Sequence, residues 1–225
     1  MDIIRASDAS LLVVFGTRIS PELQRQVLAL FRRLQRGADA RIRNLHPAYA
    51  SLLIDFDPLR WTHDEVAAHV QELTEAPATT AEFTTNTVAI PVCYGGEFGP
   101  DLGDVAAHTK LSVEEVIRLH SSATYLVYFL GFSPGFAYMG ELPEMLHTPR
   151  LRTPNKVVKA GSIGIAGSQT GVYPVDSPGG WRLIGRTPVR MFDPDALPPT
   201  RLQPGDRVKF MPINREAFEQ MVPTS

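Results

Sequence analysis

The sequence is short of nearly everything that would give a function away at once. It has one cysteine, Cys93, which excludes an internal disulfide and any cysteine-rich metal site. Its six histidines form no HExxH motif and no cluster with ligand spacing, which argues against a structural metal. Neither a Walker A loop nor a dinucleotide-binding GxGxxG fingerprint is present. Charge of one sign is lacking: 22 Lys and Arg stand against 24 Asp and Glu, a formal net charge of −2. That leaves no electrostatic footprint for nucleic acid or an anionic membrane. Long hydrophobic runs are missing as well. The longest, Tyr125 to Phe132, falls far short of the roughly 20 residues that span a bilayer. The start of the chain carries Asp2 and Arg5 and has no apolar core of a signal peptide. The expected address is the cytoplasm.

Glycine and proline are what the chain does have, with 17 and 19 copies. They crowd into Gly131 to Asp193, through GFSPGFAYMG, AGSIGIAGSQTGVYPVDSPGGWRLIGRTP and VRMFDP. Glycine lets backbone take positive φ or approach another group closely, and proline fixes φ and removes a donor. Set among aromatic residues, this reads either as walls and loops shaped around a ligand or as an all-β unit with many tight turns.

Upstream, elements alternate. ASLLVVFG reads as a buried strand, and Ser20-Pro21 opens a helix as N-cap and first helical residue. A strand at SLLIDF follows, then a helix opened by a capping box at Thr62 and Glu65. TVAIPV, Thr87 to Val92, is expected to close the series. Strand, helix, strands, helix, strand is the pattern of a small ferredoxin-like α/β unit. We therefore expect an α+β protein, with residues 1–82 forming that unit and residues 83–225 forming a β-barrel or closed sandwich. The second unit carries a helix pair at 101–121, with Asp101 and Ser112 as N-caps. Its expected strands lie in YLVYFLGF, SIGIAG, GVYPV, RLIGRTP, VRMFDP and DRVKFMPI.

Individual motifs are less telling. GFSPG matches the GxSxG elbow of serine hydrolases, but the residue after Ser133 is Pro134. Proline has no N–H to give an oxyanion hole, so Ser133 reads as a turn residue. The helix pair lacks the basic recognition face of a DNA reader. His120 ends its helix, either as a histidinium favoured by the helix C-terminus or as a general acid/base. Glu97, flanked by Gly96 and Phe98, has no local capping task. Arg186 has the planar fork that suits a carboxylate or phosphate, or is simply a surface arginine at a turn.

Taken together, VCYGGEFGPDL, EVIRLHS, YFLGFSPGFAYMGELP, AGSIGIAGSQTGVYPVDSPGGWRLIGRTP and LQPGDRVKF resemble one family from about Pro91 to Pro212. It is the B subunit of bacterial 5-oxoprolinase, also described as the KipI-type kinase inhibitor and allophanate hydrolase subunit 1, akin to the C and D subdomains of carboxyltransferases. The resemblance implies a cyclophilin-like barrel behind the small α/β unit. It also implies a C subunit of similar architecture, an A subunit, and ATP-dependent opening of 5-oxoproline to glutamate by the assembled complex. ATP, with Mg²⁺, would be held by this chain or by its partner. The same family also implies two alternatives: an inhibitor that docks on a sensor histidine kinase, and a carboxyltransferase-like component acting on urea or allophanate. Asn155 and Lys159 depart from the family's usual TPRxxVPAGS.

On those motifs, residue chemistry assigns roles. A lactam carbonyl is a poor electrophile, so the reaction needs an anion ligand, donors to developing oxygens, and a proton-transfer group. Arg186 is given the anion, Gln169 and Ser177 the amide or phosphate oxygens, Tyr138 and Trp181 the wall, and His120 or Glu97 the proton transfer.

Overall fold

The computed structural model describes residues 1–76 and 86–222. The chain divides into two units, Met1–Thr85 and Asn86–Ser225. The border expected at Glu82 lies outside the described residues.

The first unit runs β1 (Asp2–Ser7), β2 (Ser10–Val14), α1 (Pro21–Gly37), β3 (Ile42–Pro47), β4 (Ser51–Phe56) and α2 (His63–Glu75). Its antiparallel sheet has the order β1-β2-β4-β3. Both helix starts follow the sequence signals: Ser20 accepts from the Leu23 amide, and Thr62 with Glu65 forms a reciprocal capping box. Leu11, Val13, Leu52, Ile54 and Phe56 turn one sheet face to Val27, Leu30, Val66 and Val70 of the helices. Each such side chain contributes about 1.5–3 kcal/mol by leaving water. The order is that of a ferredoxin-like sheet, with one difference. The strand beside β2 comes from the start of the chain, not from TVAIPV. β1 is an edge strand, exposed at nearly every position, so it lacks the apolar alternation that betrays a strand.

TVAIPV belongs to the second unit, within β5 (Thr87–Tyr94). After it come α3 (Leu102–Thr109), α4 (Val113–Ser122), β6 (Tyr125–Leu130), β7 (Ala137–Gly140), β8 (Asn155–Val158), β9 (Ser162–Ala166), β10 (Gln169–Val172), β11 (Ser177–Gly179), β12 (Arg182–Arg186), β13 (Arg207–Pro212) and α5 (Arg215–Met221). Seven strands close a barrel in the order β10-β7-β6-β13-β5-β12-β9. β5 runs parallel to β13, from Arg207 opposite Thr87 to Pro212 opposite Val92. A parallel partner that distant along the chain leaves no local trace in the sequence. VRMFDP forms no strand; Phe192 makes an isolated bridge to Thr200, as befits a segment bracketed by Pro188 and Pro194.

Side chains alternate across the barrel wall. Ala137 and Met139 of β7, Ile163 and Ile165 of β9, and Ile184 of β12 join the interior core. Tyr138, Ala166 and Leu183, from the same strands, join a separate cluster with Phe136, Val158, Tyr173 and Trp181. That second cluster lies on the outer face of the wall, beside the two-stranded ribbon β8–β11. Among the described residues, no helix is long and apolar enough to cross a membrane.

Candidate functional site

The outer cluster does not fill its own space. A cavity of about 240 Å³ is lined by the rings of Phe132, Phe136, Tyr138, Tyr173 and Trp181, with Pro154, Pro178, Gly179 and Gly180 completing the wall. The rings meet edge to face: Phe136 stands 4.9 Å from Tyr138, 5.1 Å from Tyr173 and 5.5 Å from Trp181. Edge-to-face pairs of this spacing are the arrangement that the ring quadrupole favours. Two glycines make the packing possible by close approach. A Cβ on Gly171 would lie 3.1 Å from both Phe136 and Trp181, and one on Gly179 would lie 2.4 Å from the Tyr173 hydroxyl. The glycines of this stretch thus serve the walls more than the turns.

Among the described residues one cation lines the cavity, Arg150. Its backbone is pinned on both sides, because the Leu151 amide donates to the Gly180 carbonyl at 2.8 Å and the Arg182 side chain reaches the Pro149 carbonyl at 3.5 Å. Arg182 is itself held by Asp104 at 3.1 Å. Arg150 forms no ion pair among the described residues. Burial pushes the Tyr173 phenol above its ordinary value, while the Trp181 backbone and the charge of Arg150 work against that rise. The guanidinium is therefore close enough to be felt at the cavity's tyrosine.

Phe132 stands at the mouth, 63% exposed and 5.5 Å from Phe136. Its φ is +68°, and the Ser133 amide donates to the Gly131 carbonyl at 2.8 Å. This is a γ-turn of the positive-φ kind, rare and strained for a residue with a side chain. Ser133 is a turn residue, as expected. Its hydroxyl and that of Ser177 are both buried without a hydrogen-bond partner among the described residues, each one residue from a cavity-lining residue.

The sequence-predicted residues scatter around this arrangement. Tyr138 and Trp181 line the cavity. Ser177 precedes the lining residue Pro178, and Gln169 sits half-buried at the start of β10, outside the lining. His120 lies on the other side of the wall. It is fully buried, its Nδ1 2.8 Å from the Tyr94 hydroxyl and its Nε2 2.9 Å from Thr170 Oγ1, with its ring stacked on Phe210 at 4.7 Å. Burial lowers its pKa from 6.5 to about 3, so it is a neutral imidazole and not a histidinium at a helix end. Arg186 closes β12 and faces the rings of Phe98 and Phe218, at 6.0 and 5.7 Å. Glu97, 61% exposed, pairs with Arg215. Asp101 gives α3 no capping bond; its carboxylate accepts from the Leu183 amide at 2.7 Å and ties the helix to β12. Ser112 does cap α4, through a capping box with Glu115.

Sequence reasoning missed Arg150, while Phe132 and Tyr173 stood out only among the aromatics of the glycine-rich stretch and received no role of their own. A signal existed in PRLRTPNKVVK, which carries Arg150, Arg152, Lys156 and Lys159 without an acidic residue. Of these, Lys159 is spoken for by Asp176 at 2.9 Å. A larger hollow of about 740 Å³ lies between α1 and α2 of the first unit and reaches Ala76, where the described residues of that unit stop. None of the sequence-predicted residues lines it.

Residues 1–202 match the family described as the carboxyltransferase domain, subdomains C and D. The chain belongs to this family. Among curated relatives, the B subunit of the Haemophilus influenzae 5-oxoprolinase is 42% identical over 94% of this chain and 97% of its own length. Its Bacillus subtilis counterpart, also a 5-oxoprolinase B subunit, is 39% identical over 94% of this chain and 92% of its own. Among solved structures, the crystal structure of TTHA0988 matches with a TM-score of 0.82 at 38% identity, covering 91% of this chain and 40% of that one. This member of the carboxyltransferase C and D family therefore corresponds to a part of a longer chain there, and to nearly the whole of the bacterial B subunits.

Proposed function

We propose that the chain is the B subunit of a 5-oxoprolinase, acting with partner subunits to hydrolyse 5-oxo-L-proline to L-glutamate. The observation that carries this reading is identity of about 40% to two bacterial B subunits across almost their full lengths. The cavity agrees with it in kind. It offers aromatic faces to a small ring, one guanidinium to an anion, and at about 240 Å³ it lies below the roughly 300–1,000 Å³ of sites for drug-sized molecules. Within the complex, Tyr138 and Trp181 wall the ring and exclude water from its faces.

ATP does not fit this cavity. Its volume is about 240 Å³ and Arg150 is the one cation among the described lining residues, and among the described residues no three His, Cys, Asp or Glu stand together to hold a metal ion. Nucleotide chemistry in this reading falls to other surfaces of the assembled enzyme. The test is reconstitution. Purified with partner subunits homologous to the other oxoprolinase components, the chain should support glutamate release from 5-oxoproline and ATP; alone it should release little. An assembled complex that leaves 5-oxoproline intact would overturn the reading.

A further inference from the structure

The outer cavity carries more than its shape. Three features converge there, and the packing of the barrel explains none of them. An arginine without an ion pair among the described residues lines the rim, its backbone held by bonds to the residues on either side of it. An exposed phenylalanine is kept in a strained γ-turn over the mouth. Five aromatic rings surround space that a tighter core would have filled.

Strain of this sort persists where the surroundings over-determine it, and it gathers at ligand clamps. The edge contact of Phe132 with Phe136 at 5.5 Å still leaves the ring 63% exposed on a costly backbone. A planar ring lying between Phe132 and the Tyr138–Trp181 wall would gain an aromatic contact on its outer face. The planar fork of Arg150 matches a carboxylate through two parallel N–H···O bonds.

We propose that this cavity is the binding site of a small ring-bearing carboxylate, with Arg150 holding the carboxylate and Phe132 closing over the ring. Naming 5-oxoproline as the ring rests on the oxoprolinase reading; the chemistry of ring and carboxylate does not. Arg150, and not Arg186, is then the anion ligand.

The experiment titrates the full chain, alone and in the reconstituted complex, with three probes: 5-oxo-L-proline, cyclopentanecarboxylate and 2-pyrrolidinone. Trp181 fluorescence and calorimetry report binding. Both carboxylates should bind the wild type, and Arg150→Gln should weaken both by about tenfold or more, as expected for a lost charge-assisted pair. Binding of 2-pyrrolidinone, which lacks the carboxylate, should not respond to Arg150→Gln. In the complex, Arg150→Gln should raise KM for 5-oxoproline by a similar factor. Phe132→Gly removes the ring and relieves the positive φ, so it should weaken carboxylate binding without lowering the melting temperature. A purely structural Phe132 would show the reverse. Carboxylate binding that is absent, or that is untouched by both substitutions, overturns the proposal. An active complex whose KM ignores Arg150→Gln removes the site and leaves the oxoprolinase reading standing. An inactive complex whose chain still binds ring carboxylates through Arg150 does the opposite.

Discussion

The two faces of strand β10 treat polar chemistry in opposite ways. Inward, Thr170 draws a buried imidazole into a closed network: His120 joins Thr170 and Tyr94, and Thr170 Oγ1 continues to the Gly164 carbonyl at 3.1 Å. Every polar atom of that ring has its partner, and the group is locked neutral. Outward, next door, Gly171 gives way so that Phe136 and Trp181 can approach, and the space beyond them ends on a guanidinium with no ion pair among the described residues. One face spends its polar groups on holding the barrel together, and the other keeps its cation available. Titratable groups in a strange environment are good guides to function only when something can reach them. His120 has the perturbed pKa, yet the outer face has the access.

The sharpest way to break this comparison is to remove His120. His120→Ala leaves a cavity and strands the Tyr94 hydroxyl, while Thr170 keeps its bond to the Gly164 carbonyl; the loss should cost about 3–5 kcal/mol. The melting transition of the second unit should fall by on the order of 10 °C. Ring-carboxylate binding, measured well below that transition, should be retained. The pH dependence adds an independent reading. The folded pKa near 3 lies below the ordinary 6.5 of an unfolded histidine, so the contribution of the neutral ring is fully present above about pH 6.5. It is lost as pH falls toward 3, by at most about 5 kcal/mol, because the unfolded chain takes up the proton first. His120→Gln, which cannot titrate, should flatten that slope relative to wild type in denaturant titrations across the window. A His120→Ala protein of normal stability and no turnover would put the histidine back into the chemistry.

A second test sharpens the outer face. Gly179→Ala sets a methyl group against the Tyr173 hydroxyl, at an unrelaxed 2.4 Å, and something must shift. Overpacking of this kind costs about 1–3 kcal/mol. Tyr173 is a cavity wall, so carboxylate affinity should fall together with stability, whereas for His120→Ala the two should separate. Calorimetric melting and titration of the same sample measure both.

Much of this was legible in the chain, and the losses have physical reasons. Helix starts are local chemistry, which is why Ser20, Thr62 and Ser112 could be read directly from the residues around them. The turn-rich region was recognisable as β structure, and Tyr138 and Trp181, picked from it by their rings, both line a cavity. What failed was everything set by distant pairing. β5 looked like the end of the first unit because its parallel partner, β13, lies over a hundred residues on, and β1 was invisible because an exposed edge carries no alternation. Asp101 looked like a cap because capping is the common local use of an aspartate before a helix, while its real partner is the Leu183 amide. Arg186 takes the anion on its chemistry alone, and only the fold shows that it faces the rings of Phe98 and Phe218.

The smallest expected effect concerns that last group. Glu97 and Arg215 are both well exposed, and Arg186 adds a cation over the Phe98 and Phe218 rings. An exposed ion pair contributes about 0–1 kcal/mol and weakens with salt, and an arginine over an aromatic face about 0.5–1 kcal/mol. Glu97→Gln should therefore lower the melting temperature by a few degrees at most, with the difference shrinking as salt is added. Arg186→Lys keeps the charge but loses the flat stacking surface, so it should act on α5 docking to a similarly small extent. Neither should change ring-carboxylate binding, since neither residue lines the cavity. Turnover of the reconstituted complex is the deciding measurement. A general base removed from a working site lowers turnover by roughly 10²–10⁴-fold, far outside what a loosened surface helix produces. If Glu97→Gln shows a loss of that size at unchanged stability, the acid/base chemistry sits at the exposed end of β5. The outer cavity would then bind a carboxylate without being where the ring is opened.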